Sequence, residues 1–232
     1  MDQGLLGTTE ILTVSLRREF EANPHLSQEV LHLGNRLEPG ITAVVAVHGR
    51  GQSGQYMVDH VVQPLLESDV AWLLPQAHEK SWYPAGFQAP LEENRPRLDY
   101  ALEALDLVAL YLASVGVEPK NTIWLGFSQG ACLVTEWMAR HPCRWGGLAA
   151  LTGARIGKRG SIANINGTFN YMPAYFGIGA HDEWVPYERA QESAEQYESA
   201  GATVEMEIFE DSLHEIRRRE ILAIRRVIES AS

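Results

Sequence analysis

Cysteine is nearly absent from this 232-residue sequence, which holds only Cys132 and Cys143. Two thiols cannot staple a disulfide scaffold or supply a four-cysteine metal site. Long apolar runs are missing too. The longest covers residues 107–113, far short of the roughly 20 residues that a membrane-spanning helix needs, so no stable membrane insertion is expected. Basic charge is scarce: 19 Lys and Arg stand against 30 Asp and Glu, a formal net charge of −11. Such a chain repels phosphate-bearing surfaces, which makes nucleic acid and anionic membrane poor partners. The opening MDQGLLGTTE has no basic segment leading into an apolar one, so no secretory signal is read there and a reducing, cytoplasmic setting is expected. There is no internal repeat and no low-complexity tract.

What is present is a balance of 45% apolar and 21% charged residues, the composition of a globular protein with a sizeable core. Length alone suggests one domain or two; single α/β domains of this size are ordinary, so one is expected over 24–232, preceded by a weakly patterned extension, 1–23. Apolar bursts alternate with amphipathic stretches. The bursts at 41–47 (ITAVVAV), 70–74 (VAWLL), 122–126 (TIWLG), 147–151 (GLAAL), 175–178 (YFGI) and 204–209 (VEMEIF) read as strands, with 29–33 as an edge strand. Helical spacing is clearest at 98–114, where Leu98, Leu102, Leu105, Val108 and Leu112 recur every three or four residues. Helices are also expected at 188–200 and 214–229, the latter with an arginine cluster read as a solvated surface. Strands alternating with helices predict an α/β fold with a mostly parallel central sheet and helices on both faces.

Residues 75–97 break this rhythm, with four prolines and three aromatics but no period. Long structureless loops inside compact domains are uncommon and tend to be functional. This one is expected to wall a binding site with Trp82, Tyr83 and Phe87, joined by Trp184.

The sharpest chemical signal is Gly126-Phe127-Ser128-Gln129-Gly130, a G-x-S-x-G pattern. Chance alone supplies it in about one sequence in ten of this composition, so its context has to carry the reading. It follows the buried run TIWLG and precedes the helix-like ACLVTEWMAR, the strand–turn–helix setting of a nucleophile elbow. A serine hydroxyl is a weak nucleophile and needs a base oriented by a third group. In this kind of fold the chain order is Ser, then an acid, then His. His214 is the only histidine after His181, and it follows the last expected strand; Asp182 follows the penultimate one. Glu183 and Asp211 are rival acids, with Asp211 read as a cap for the helix expected at 214. His181 is a rival base, but neighbours on an extended segment point apart, so it is read as a rim residue. An oxyanion requires backbone donors: the N–H of Gln129, and that of Arg50 in His48-Gly49-Arg50-Gly51 after an early strand.

Other patterns fail. The stretch 49–54 fits G-x-G-x-x-G, but the next strand ends in Pro75-Gln76 without the ribose-binding acid. His214-Glu215-Ile216-Arg217-Arg218 has arginine where a zinc motif needs its second histidine. Neither a metal nor a cofactor is called for.

The segments HGRG (48–51), GFSQGA (126–131), HDEWVP (181–186) and LHEI (213–216) resemble the phospholipase/carboxylesterase family of α/β-hydrolases, which includes acyl-protein thioesterases. The resemblance runs over about residues 24–229, and Asn23-Pro24-His25, Ser81-Trp82-Tyr83-Pro84 and Asn94-Arg95-Pro96 resemble a bacterial subgroup of predicted carboxylesterases. It implies an α/β-hydrolase fold, a nucleophile at Ser128, an acid at Asp182, a base at His214, and oxyanion donors at Arg50 and Gln129. Where the family usually has glycine before its histidine, Leu213 stands here. The expected activity is hydrolysis of a small-molecule carboxylic ester through an acyl-enzyme, with thioester or lysophospholipid cleavage as alternatives on the same triad and non-catalytic small-molecule binding as a third. The span 154–172 is too short for a separate cap domain, so a shallow site is expected. Homodimerisation is left open by the sequence.

Overall fold

The computed structural model describes residues 23–66 and 69–231; of the extension expected at 1–23, all but Asn23 lies outside the described residues. Its frame is a seven-stranded sheet in the order β1-β3-β2-β4-β5-β6-β7. The strands are β1 (Val30–Gly34), β2 (Ala43–Val47), β3 (Ala71–Pro75), β4 (Thr122–Phe127), β5 (Gly147–Leu151), β6 (Pro173–Gly179) and β7 (Thr203–Phe209). Only β1 runs antiparallel, against β3; the other pairings are parallel. The helices are α1 (Gly54–Met57, continuing through looser turns to Leu65), α2 (Leu91–Asn94), α3 (Arg97–Ser114), α4 (Gln129–Arg140), α5 (Tyr187–Ser199) and α6 (Arg218–Ala231).

The near-continuous apolar strands divide their side chains between two cores, as the two-residue repeat of a strand requires. Val45, Val47, Trp124, Leu148, Ala150 and Phe176 pack under α3, α4 and α5. Val44, Ala46, Ile123, Leu125, Ala149 and Tyr175 pack against α1 and α6. Helix α3 buries Leu98, Leu102, Leu105, Val108 and Leu112, the stripe legible in its spacing. Strand β7 is one of the two edges, and it carries charge there: Glu205 pairs with Arg226 at 2.5 Å, and Glu207 with Arg219. Charged edge strands resist pairing with other chains.

Register sets up the site. Val47 lies beside Gly126, Phe127 beside Leu151, and Gly179 beside Phe209, so the carboxyl ends of β2, β4, β5, β6 and β7 line one rim. That rim is where open parallel sheets bind ligands. Residues 152–172 contain no helix or strand, so nothing folded as a cap follows β5.

Two local expectations are corrected. The last helix starts at Arg218 instead of 214, leaving His214 in a loop. Asp211 caps no helix: its carboxylate accepts the Leu213 N–H at 3.0 Å and pairs with Arg217. The N–H of Arg217 is instead met by Glu220 at 2.7 Å, the reach-back contact of a capping box.

Candidate active site

The turn at Ser128 is forced by its neighbours. Ser128 sits at φ 54°, ψ −119°, a conformation that side-chain-bearing residues adopt only when their surroundings over-determine it. Its N–H donates to Leu151 O at 2.9 Å, and its carbonyl receives the Cys132 N–H at 3.0 Å. The flanking glycines are needed for space. A Cβ at Gly130 would run into the carbonyl oxygens of Val47 and His48, and one at Gly126 would meet the Gly130 backbone. The strand therefore turns straight into α4 with the Ser128 side chain held at the rim.

Three side chains from distant parts of the chain meet there. His214 Nε2 lies 2.8 Å from Ser128 Oγ, and His214 Nδ1 lies 2.8 Å from Asp182 Oδ2. The Asp182 side chain is fully buried, and its other oxygen accepts the N–H groups of Trp184 (2.9 Å) and Val185 (2.8 Å). Burial alone would push this carboxyl up; the hydrogen bonds from His214, Val185 and Trp184 outweigh it and hold the carboxyl below the ordinary aspartate range. An ionised carboxylate only accepts hydrogen bonds, so the imidazole proton sits on Nδ1 and Nε2 is free to accept from the Ser128 hydroxyl. His181 and Glu183 are exposed, and the rim reading of His181 agrees with that.

Beside Ser128, where a Cβ at Gly49 would lie 3.1 Å from the serine Cβ, the loop 48–52 is braced by several hydrogen bonds. His48 Nδ1–H donates to Gly49 O at 2.7 Å, and its Nε2 accepts the Ala77 N–H at 3.0 Å. Burial lowers the pKa of His48, which suits a ring that must keep one nitrogen bare. Gln52 Oε1 accepts the Gly49 N–H at 2.9 Å, and Gly51 N–H donates to Lys80 O at 2.7 Å. Between them the N–H of Arg50 finds no acceptor among the described residues, and neither does the N–H of Gln129 at the start of α4. The Gln129 side chain is a brace the sequence did not announce. Its Oε1 accepts the Trp82 N–H at 2.9 Å and its Nε2 donates to Tyr83 O at 2.7 Å.

The aromatic side chains of the long loop are not open in the way a wall of the site would require. Trp82 and Tyr83 are fully buried, and Phe87 nearly so. Trp82 donates its indole N–H to His48 O at 2.9 Å and packs at a tilt against the rings of His25 and His48. Phe87 lies against the Arg189 guanidinium. Burying these aromatics removes a large apolar area from water, and the Trp82 indole N–H keeps its partner in His48 O. The outer face of Trp82 borders a cavity of about 300 Å³ between α3 and the β1–β3 edge; none of Ser128, Asp182 and His214 lines it. The Arg50 guanidinium donates to Tyr83 O (2.9 Å) and Ala85 O (2.5 Å), so it holds the loop. Of the four expected wall residues only Trp184 is open, at 73% exposure, with its ring 6.5 Å from that of His214. Among the described residues, no group of three His, Cys, Asp or Glu side chains could hold a metal ion, and no helix is long and apolar enough to cross a membrane.

The family model for phospholipase/carboxylesterase matches residues 35–232. The chain belongs to the phospholipase/carboxylesterase family. A crystal structure of a phospholipase/carboxylesterase from Dyadobacter fermentans shares 33% identity and superposes with a TM-score of 0.81, covering 86% of this chain and 95% of that one. A probable carboxylesterase SOBER1-like protein of Arabidopsis thaliana is 26% identical over 209 residues, 82% of this chain and 78% of that protein. The crystal structure of Arabidopsis SOBER1, at 22% identity, shares the fold with a TM-score of 0.69, covering 83% of this chain and 99% of that one. Membership makes this a hydrolase of carboxylesterase/phospholipase type with an α/β-hydrolase fold. The family's usual glycine before the histidine is not needed here, since Leu213 is not among the residues with positive φ.

Proposed function

We propose that this protein hydrolyses carboxylic esters of small molecules through a covalent acyl-enzyme on Ser128. The observation that carries the reading is the pair of 2.8 Å contacts linking Ser128 Oγ, His214 and Asp182. In the first half-reaction Ser128 Oγ attacks the ester carbonyl carbon as His214 Nε2 takes the hydroxyl proton. The carbonyl oxygen becomes an oxyanion facing the unpaired N–H groups of Arg50 and Gln129. Such donors cost no reorganisation when the charge develops, and one is typically worth about 3 kcal/mol of barrier. The tetrahedral carbon then collapses, the C–O bond to the alcohol breaks, and the imidazolium returns its proton to that oxygen. In the second half His214 takes a proton from water, hydroxide oxygen attacks the acyl carbon, and the released acid frees Ser128 with its proton restored. Asp182 stabilises the imidazolium throughout and keeps its own charge.

The absence of a folded cap after β5 and the exposure of Trp184 support an open site that accepts the acyl portion from the surface. A thioester or a lysophospholipid would use the same groups, because only the leaving atom changes. Short, medium and aromatic nitrophenyl esters, an acyl thioester and a lysophospholipid, assayed side by side on wild type and Ser128→Ala, test the reading. Turnover is expected to be fastest on the esters and to fall on the order of 10⁴-fold or more in Ser128→Ala. Unchanged ester turnover in that variant would overturn the nucleophile assignment, and no turnover by wild type on any substrate would favour a binding role.

A further inference from the structure

The loop that carries His214 has almost no main-chain support of its own. Among the described residues, every hydrogen bond to the backbone of residues 212–216 comes from two side chains. Asp211 Oδ1 accepts the Leu213 N–H at 3.0 Å. The Arg217 guanidinium donates to Leu213 O at 2.5 Å and to Glu215 O at 3.3 Å, so it grips the carbonyls on either side of His214. The two grips are joined, since Arg217 Nη2 and Nε reach Asp211 Oδ1 (2.5 Å) and Oδ2 (3.1 Å). Arg217 is itself buried, stacked 4.6 Å above the Phe209 ring, with the Glu220 carboxylate 3.6 Å from Nη1.

The same pair touches the strand that leads to the acid. A Cβ at Gly179 would lie 3.0 Å from Arg217 Nη2 and from the Asp211 carbonyl and carboxylate oxygens. Beyond Gly179, Ala180 N–H donates to Phe209 O (2.7 Å) and His181 N–H to Asp211 O (3.0 Å). The clamp thus sits between the loop bearing Asp182 and the loop bearing His214. We infer that Asp211 and Arg217 are positioning residues that fix His214 relative to Asp182 and Ser128, a task that falls to a side-chain fork because this loop has no backbone ladder. The inference rests on the proposed hydrolase reading for its consequence in catalysis. Arginine suits the task because its planar fork can hold a carboxylate and two carbonyls at once, whereas a lysine ammonium has one point of charge. Displacement of a reacting group by about 1 Å can lower rates by about 100-fold.

The test compares Arg217→Met, Arg217→Lys and Asp211→Asn with wild type, measuring kcat and KM on a nitrophenyl ester, the thermal midpoint, and the NMR signal of the His214 Nδ1 proton. Arg217→Met is expected to lose about 100-fold in kcat with KM within about threefold, since only an interaction that orders the reacting groups is removed. Arg217→Lys should recover part of that loss, and Asp211→Asn should lose about tenfold in kcat while the His214 proton signal broadens or shifts upfield. Removing Arg217 also strands the Glu220 carboxylate, so if Arg217→Met fails to fold, Asp211→Asn and Arg217→Lys decide. Folded Asp211→Asn and Arg217→Lys proteins with wild-type kcat and a wild-type His214 signal would overturn the inference. Failure of the hydrolase reading looks different: wild type itself would then be inert, while the NMR signal would still report whether the clamp orders His214.

Discussion

The two halves of the site are held in place by different physics. On the proposed nucleophile side, Ser128 is fixed by main chain: a central strand buried on both faces, two glycines that allow backbone to touch backbone, and a helix starting at once. On the proposed acid–base side, Asp182 and His214 stand on loops beyond β6 and β7; main chain still ties the Asp182 loop, through Ala180 N–H to Phe209 O and His181 N–H to Asp211 O, but side-chain hydrogen bonds and an ion pair hold His214. A backbone-built element can be displaced only by unfolding its surroundings. A side-chain-built one can be loosened by a single substitution while the fold stands. Errors on the first side should therefore read out as stability and errors on the second as rate.

The largest expected effect is on the second side. Asp182→Asn keeps the shape but replaces one acceptor oxygen by an amide, so the imidazole loses the group that holds its proton on Nδ1. A fall of about 10⁴-fold in kcat with little change in thermal midpoint is expected from steady-state kinetics and calorimetry. A large loss of stability with near-normal kcat would show that Asp182 supports the fold and not the imidazole. Next comes Gly130→Ala on the first side, whose methyl would be driven into the Val47 and His48 carbonyls. A destabilisation of about 3 kcal/mol or more in chemical denaturation is expected, since neither backbone can yield; a fully stable variant would show the elbow to be softer than its geometry implies.

The smallest effect sharpens the boundary between the two sides. Glu220 is buried under the clamp, and burial raises its carboxyl to about 7, with the Arg217 N–H and guanidinium pulling the other way. In the unfolded chain the group titrates near its ordinary 4.5. Between those values the native state binds the proton that the unfolded state has lost, so stability falls as pH rises from about 4.5 to about 7, and levels off above. Glu220→Gln should flatten this slope in denaturation curves taken at pH 5 and pH 8 and leave kcat within a few-fold; an unchanged slope would remove Glu220 from the account.

The same division explains what could be read from the residues alone. The buried strands, the α3 stripe and the elbow are local, periodic signals, and their chemistry is set within a dozen neighbouring residues. That Ser128, Asp182 and His214 come together is legible because chain order and strand ends confine them. The loop 75–97 was not. Trp82 and Tyr83 look like a wall in sequence, yet they are buried because Gln129, His48 and Arg50 supply hydrogen bonds from positions 30 to 50 residues away. Asn94, likewise buried, replaces absent secondary structure by bonding Ala85 N–H and Gly86 O. Nothing in spacing marks such partners. Arg217 is a similar case. Among five arginines between 217 and 226 it reads as solvated surface, and only the turn at the end of β7 brings it inward.

Reaction of the folded protein with a fluorophosphonate, followed by peptide mass spectrometry, reads out whether Ser128 is activated by His214. The account predicts a single phosphonyl adduct on Ser128, formed quickly in wild type and at least about 100-fold more slowly in His214→Ala, where the base that takes the hydroxyl proton is gone. An adduct on another residue, or equal labelling of Ser128 with and without the imidazole, would contradict it.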